Sequence, residues 1–390
     1  MSAQEITVPA PADFHVHLRQ GPMSQLVTPH VAEGGISLAY VMPNLVPPIT
    51  SAQQAAGYLQ SLRNLAPQTK FIGTLYLSSA LTPAEIAEAA KEGVRGVKSY
   101  PRGVTTNSDS GIEDYETYYP IFEEMQKHDM VLNLHGEVPS NADAGICVLN
   151  AEEKFLTHLF KIHKRFPKLK IVLEHATTRK AVEAVKECGE TVGCTITPHH
   201  LELIVDDWAG KPLNFCKPVA KYPDDRQALR DVIREGHPRF FLGSDSAPHP
   251  LANKYPSAVT HGAPGTKASA SGGDDLEPTG VVSCGCAAGV YTSSILVPLC
   301  ATLLEGFGAL DQLANYVSLN GRRFYGYDDE QELSQGSIKL RRAGGGSSAA
   351  TVPAVYVHPE FRDVPDSDAS KVQVVPFWAG KRLGWEIVRS

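Results

Sequence analysis

The chain has 390 residues, 42% hydrophobic and 20% charged, with 36 Lys and Arg against 43 Asp and Glu and a formal net charge of -7. An acidic balance without a clustered excess of Lys and Arg argues against a nucleic-acid or membrane-surface footprint and directs attention to a small-molecule partner. No apolar run approaches a membrane span, and the N-terminus MSAQEITVPAPADF lacks the basic and apolar regions of a signal peptide. The seven cysteines are odd in number and scattered, so they read as reduced thiols in the cytoplasm.

Short β-rich runs alternate with helix-like segments to about residue 320. In chain order the expected elements are strands 12–18 and 37–43, helix 51–63, strand 71–78, and helix 82–92 opened by Thr82-Pro83 as cap and first position. Strand 93–99 and helix 115–128 follow, then strand 131–136, helix 151–166, strand 170–176, helix 178–188, strand 191–197, helix 224–236, strand 240–245 and helix 286–306. Strand-helix alternation implies parallel strands, and eight repeats close an α/β (β/α)₈ TIM barrel over residues 1–340. Residues 103–114 read as a polar loop, and 250–280, rich in Gly, Pro, Ser and Ala, as a long loop after the eighth strand. Residues 341–390 form an extension, in which the low-complexity run AGGGSSAA is a flexible linker and the aromatic-rich, strand-like tail beyond it packs on the barrel.

In this fold catalytic side chains gather at the C-terminal ends of the strands. Side chains on a strand alternate, so His15 and His17 point the same way and can reach one metal ion, with Phe14, Val16 and Leu18 on the other face. Arg19, which no metal accepts as a ligand, is suited to a substrate carboxylate. The other strand ends contribute Asn44, Lys98, His135, His175, and Asp245 with His249. Singly, each has a bland reading as a buried histidine, a cap or a surface lysine. Together, four histidines and an aspartate on one barrel face are costly to desolvate unless a cation repays the cost. Lys98 could join them only after losing its charge. Carbon dioxide converts a neutral amine to a carbamate, and an N6-carboxylysine at Lys98 would bridge two cations. His15, His17 and Asp245 would then hold one metal, and His135 and His175 the other.

The strings HVHLR, VMPNLVPPIT, GVKSYP, TTNS, LHGE, LEHATT, and GSDSAPHP followed by SCGCA occur here in that order. As a set they resemble the dihydroorotases, in particular the shorter monofunctional type of bacteria and fungi within the amidohydrolase superfamily. The resemblance spans about residues 7–340 and resumes at VPFWAG. It implies a hydrolase with two zinc ions per chain that interconverts N-carbamoyl-L-aspartate and L-dihydroorotate in pyrimidine synthesis. It also implies that Arg19, Asn44 and His249 hold the substrate carboxylate, with backbone help near Lys217 and Ala287. Thr105 and Thr106 would lie on a closing loop, and Asp245 would be the catalytic proton carrier. His199 and His200 match no ligand of the family and are read as structural, with a secondary polar role as the alternative, and Cys284-Gly-Cys286 as packing or a tight turn, with zinc as the minor alternative. Two other readings remain: another cyclic-amide hydrolase of the hydantoinase or allantoinase kind, which lacks the full carboxylate set, and a non-catalytic barrel scaffold, which would have lost ligands. The oligomeric state is open, with a homodimer as one option.

Overall fold

The computed structural model describes residues 4–108, 111, 112, 114–255, 286–344, 351–365, 368 and 370–389. The expected loop over 250–280 lies outside the described residues from 256 onward, as do Cys284 and the expected linker beyond residue 344.

A short strand, β1 (Glu5–Val8), precedes eight others: β2 (Ala12–Val16), β3 (Leu38–Val41), β4 (Lys70–Tyr76), β5 (Val94–Ser99), β6 (Val131–His135), β7 (Lys170–Glu174), β8 (Val192–Ile196) and β9 (Phe240–Leu242). Strands β2 to β9 make one eight-stranded sheet in sequence order, parallel at every pairing. The seam between β9 and β2 closes just past the end of β9. Val16 bridges Ser246 in parallel, Asp245 N–H donates to His15 O at 2.8 Å, and His17 N–H to Ser246 O at 3.1 Å. Gly243 permits this approach, because a Cβ there would lie 2.6 Å from the Thr195 side chain and 2.9 Å from His15 Cβ. The sheet is a (β/α)₈ barrel, and the seam that closes it also sets two site residues side by side.

The first barrel strand departs from simple alternation. Phe14 stacks on Tyr325 at 4.7 Å between ring centroids and belongs to a cluster with Tyr40, Val131 and Phe241, whereas Val16 and Leu18 belong to the larger core beneath the helices. The expectation that Phe14, Val16 and Leu18 share a face is therefore wrong. The pairing register of β2 on β3 shifts between Asp13 and Val16, and an irregularity of this kind changes the phase of alternation.

Helices cover the sheet where the apolar periodicity expects them, at Ala52–Leu65, Pro83–Lys91, Tyr119–Lys127, Ala151–Arg165, Arg179–Cys188 and Pro223–Arg234. Ser51 and Gln54 form a capping box, and Thr82 caps its helix through Glu85 N–H. The expected helix 286–306 is corrected: the α-helix spans Leu296–Gly306, after a single 3₁₀ turn at Ser293–Ile295. Residues upstream are tied to the barrel seam instead, since Val290 bridges Ser246 and Ser246 Oγ accepts the N–H groups of Thr292 and Ser293. Those bonds cannot also serve an α-helix.

Beyond the barrel, β10 (Ile338–Arg342) pairs antiparallel with β1 on one side and with β13 (Trp385–Ile387) on the other. Between them in sequence, β11 (Tyr356–Val357) pairs with β12 (Gln373–Val374). Trp385 is fully buried and its Nε1–H donates to Glu305, so the chain terminus is anchored to the helix Leu296–Gly306.

Candidate metal centre

Lys98 lies on β5 and His135 ends β6, while His15 lies on β2 with His17 just past its end. His175 follows Glu174 at the end of β7, and Asp245 lies beyond Leu242 of β9. Arg19, His175 and Asp245 have φ of 56°, 41° and 44°, backbone conformations uncommon in L-residues and concentrated at functional sites.

The ring centroids of His15 and His17 are 5.3 Å apart, those of His15 and His175 5.0 Å, and those of His135 and His175 4.7 Å. His15, His17 and Asp245 each offer a ligand atom, all within 4.8 Å of one another. Neighbours orient these rings. His15 Nδ1 lies 2.7 Å from Glu174 Oε2, His17 Nδ1 2.8 Å from Asn44 Oδ1, and His135 Nε2 2.8 Å from Glu137 Oε2. At His15 and His135 the nitrogen bonded to a carboxylate must carry the proton, so the other has its lone pair free, which is the arrangement metal-binding imidazoles use. His17 faces an oxygen on both sides, with Asp245 Oδ1 3.0 Å from its Nε2. Burial first, then nearby cationic groups such as Lys98, pushes the pKa of His15 and His175 well below the ordinary histidine range. They stay neutral, as ligation requires.

Glu174 is itself held. Thr195 Oγ1 donates to it at 2.5 Å and Asn133 Nδ2 at 2.6 Å, while Asn133 Oδ1 accepts from Tyr40 OH at 2.9 Å. On the opposite side Asp13 accepts from His15 N–H, Ser244 N–H and Ser244 Oγ, and burial raises its pKa to about 7. These supporting residues escaped the sequence reading. Their signal was within it, because Asp13 opens the run containing HVHLR, Glu174 precedes His175 in LEHATT, and Glu137 ends LHGE.

Lys98 is fully buried, and its Nζ has no hydrogen-bond partner. Burial drives its pKa down to about 8, although Glu174 and Asp245 favour the charged form. A buried, unpartnered amine among neutral histidines is poorly accommodated as an ammonium and well placed to become an anion facing cations. His175 Nδ1 is likewise buried without a partner. Burial pushes the pKa of Asp245 up, and the hydrogen bond with His17 opposes it. The residues present thus fit a metal centre.

A narrow cavity opens above the cluster, lined among others by Arg19, Asn44, Thr105, Thr106 and Lys217. Arg19 Nε donates to Pro248 O at 3.0 Å, which aims the guanidinium. His249 stands behind it, its Nε2 3.1 Å from the guanidinium and 2.9 Å from Ala288 O. One ring nitrogen serves only one of these, accepting from Arg19 or donating to Ala288 according to tautomer. Asn44 has its Oδ1 on His17 and donates through Nδ2 to Thr106 O at 3.2 Å, while Asn107 Nδ2 donates back to Asn44 O at 3.0 Å. The threonine run is thereby drawn over the cavity. Ala288 and Gly289 line the wall. Ala287 sits one step back, its N–H spent on Asn253 O.

His199 and His200 form a second buried group with Cys216. His200 Nδ1 lies 2.9 Å from Thr197 Oγ1 and Nε2 3.0 Å from Pro218 O, so both its nitrogens are engaged, whereas both ring nitrogens of His199 are buried without a hydrogen-bond partner.

A profile of the Amidohydrolase family matches residues 6–330. The chain is 88% identical to a dihydroorotase of Mycosarcoma maydis, covering 100% of each sequence, and 42% identical to a dihydroorotase of Saccharomyces cerevisiae, covering 98% of each. The crystal structure of the Saccharomyces cerevisiae dihydroorotase in complex with 5-fluoroorotic acid superposes with a TM-score of 0.84 at 41% identity, covering 99% of this chain and 98% of the other.

Proposed function

Since the chain belongs to the amidohydrolase family and, within it, to the dihydroorotases, it interconverts N-carbamoyl-L-aspartate and L-dihydroorotate, and we propose the centre that does so: two zinc ions per chain bridged by carboxylated Lys98. His15, His17 and Asp245 would hold one ion, and His135 and His175 the other. The observation that carries this reading is the buried, unpartnered Lys98 Nζ among histidines that burial keeps neutral. Bound there, a metal pair would lower the pKa of a water and polarise the amide carbonyl.

The chain's own residues do the rest. Arg19, backed by His249, receives the substrate carboxylate through a planar fork of N–H groups, and Asn44 adds a second donor, because one of its two Nδ2 hydrogens is not needed by Thr106. Backbone near Lys217 and Ala287 completes that wall. Asp245 Oδ1, 3.0 Å from His17 Nε2, takes the proton of the attacking water and delivers it to the departing ring nitrogen. Thr105 and Thr106 close over the bound substrate and exclude water. In the reverse direction the same groups close the ring.

Residues 341–390 act in this reading as an extension of the barrel domain rather than a second active unit. Among the described residues no helix is long and apolar enough to cross a membrane. The six described cysteines are free, which supports a cytoplasmic setting. The 88% identity over the full chain leaves a hydantoinase-like activity or an inert scaffold as the weaker readings.

The test is metal analysis of the purified protein beside an L-dihydroorotate hydrolysis assay, with about two divalent ions per chain expected and activity abolished by chelation. Full activity in a metal-free preparation would sink the proposal.

A further inference from the structure

Lys254 ends the short helix Leu251–Lys254, and its side chain turns inward to 5% exposure. Its Nζ donates to three backbone carbonyls, Phe215 O at 3.0 Å, Ala287 O at 2.8 Å and Gly289 O at 2.9 Å, which uses every N–H of the ammonium. Among the described residues no carboxylate forms an ion pair with it. A cation removed from water without a counter-ion persists only where its donors are all satisfied, so the chain commits three carbonyls to this one group.

Those carbonyls belong to the segments that wall the substrate cavity. Ala287 N–H donates to Asn253 O and Gly289 N–H to Phe215 O, both at 2.9 Å, so Lys254 lies at the centre of a closed set of main-chain bonds. Ala288, between two of its acceptors, lines the cavity and presents its carbonyl to His249. Lys217, two residues beyond the third acceptor, lines the cavity as well. Gly289 is wedged so closely that a Cβ would meet Ala247 O at 2.5 Å and His249 Cδ2 at 2.9 Å. Small movements of this segment would therefore displace His249 and, through it, Arg19.

We infer that Lys254 is a positioning residue, whose buried ammonium clamps the Phe215 and Ala287–Gly289 backbone in the geometry that receives the substrate carboxylate. The inference rests on the reading that this wall, with Arg19 and His249, is where the carboxylate binds. Lys254 itself touches neither substrate nor metal. Its loss acts on KM more than on kcat, and not on metal content.

Kinetics and metal content of the holoenzyme carrying Lys254→Met or Lys254→Ala, beside wild type and His249→Ala, test this. Both Lys254 variants are expected to keep their metals and to raise KM for L-dihydroorotate about tenfold with a smaller change in kcat. Propylammonium replaces the three carbons and nitrogen missing from Lys254→Ala and should restore its KM, whereas tetramethylammonium, which has no N–H, should not. Wild-type KM in Lys254→Met, or a raised KM in Lys254→Ala that propylammonium leaves unchanged, overturns the inference. Variants that fail to fold even with propylammonium present would reduce Lys254 to a stability role and overturn it too. Failure of the underlying reading looks different: wild type would not turn over L-dihydroorotate, or His249→Ala would leave KM unchanged.

Discussion

His15 Nδ1 lies 2.7 Å from Glu174 Oε2, and this contact across the barrel turns His15 Nε2 toward Asp245, 3.5 Å away. Glu174 is fully buried and accepts from three side chains at once, so it can neither rotate away nor find water as a substitute. Replacing it with Gln puts a donor among donors and removes the charge that fixes the His15 tautomer. Metal affinity in Glu174→Gln should fall about 10- to 100-fold, read by competition with a chelator of known strength. Wild-type affinity would show that His15 needs no such orientation.

Lys98→Ala should lose metal and activity together, because the proposed anion between two cations would be gone and a gap is left in a fully buried position. A short carboxylic acid in excess should partly restore both by placing two oxygens in that gap. Lys98→Arg should not respond, since a guanidinium stays charged and fills the space. Mass analysis of the native protein should detect the added carbon dioxide. A metal-loaded, active enzyme with an unmodified lysine would remove the bridge.

Arg19→Lys keeps the charge but loses the bond from Nε to Pro248 O and the planar fork. KM for L-dihydroorotate should rise by about 10- to 100-fold while metal content stays at the wild-type level. Unchanged kinetics would move the carboxylate site elsewhere.

The loop carrying Thr105 and Thr106 is tethered to Asn44 through the Thr106 carbonyl and the Asn107 side-chain amide rather than through the threonine side chains. The hydroxyls are thus available for substrate. The double change Thr105→Ala with Thr106→Ala should lower kcat/KM at least tenfold and leave the metals in place. Activity equal to wild type would make this an ordinary surface loop.

The equilibrium should follow pH by stoichiometry alone. N-carbamoyl-L-aspartate carries two carboxylates and L-dihydroorotate one, so ring closure consumes a proton. Lowering the pH therefore favours the ring and raising it favours the open chain, about tenfold per pH unit, because one proton enters the equilibrium. A product ratio that ignores pH would mean a different reaction.

Local pattern was enough for much of this molecule. Apolar runs of strand length alternating with amphipathic helices specify a barrel from either side of each repeat, and His15, His17, Asn44, Lys98, His135, His175 and Asp245 stand out because each falls at a strand end. What the pattern could not supply are relations between residues far apart in the chain. The phase change between Phe14 and Val16 arises from pairing with β3. The onset of the helix at Leu296 is decided by Ser246, which takes the N–H groups upstream. Strand β1 exists because Ile338–Arg342 returns to pair with it. The tautomers of His15 and His135 depend on Glu174 and Glu137, and the wall around His249 on Lys254, whose three acceptors come from two stretches of backbone far apart in the chain. A hydrogen bond is specific to distance and direction in space, and only the folded chain brings those partners within reach.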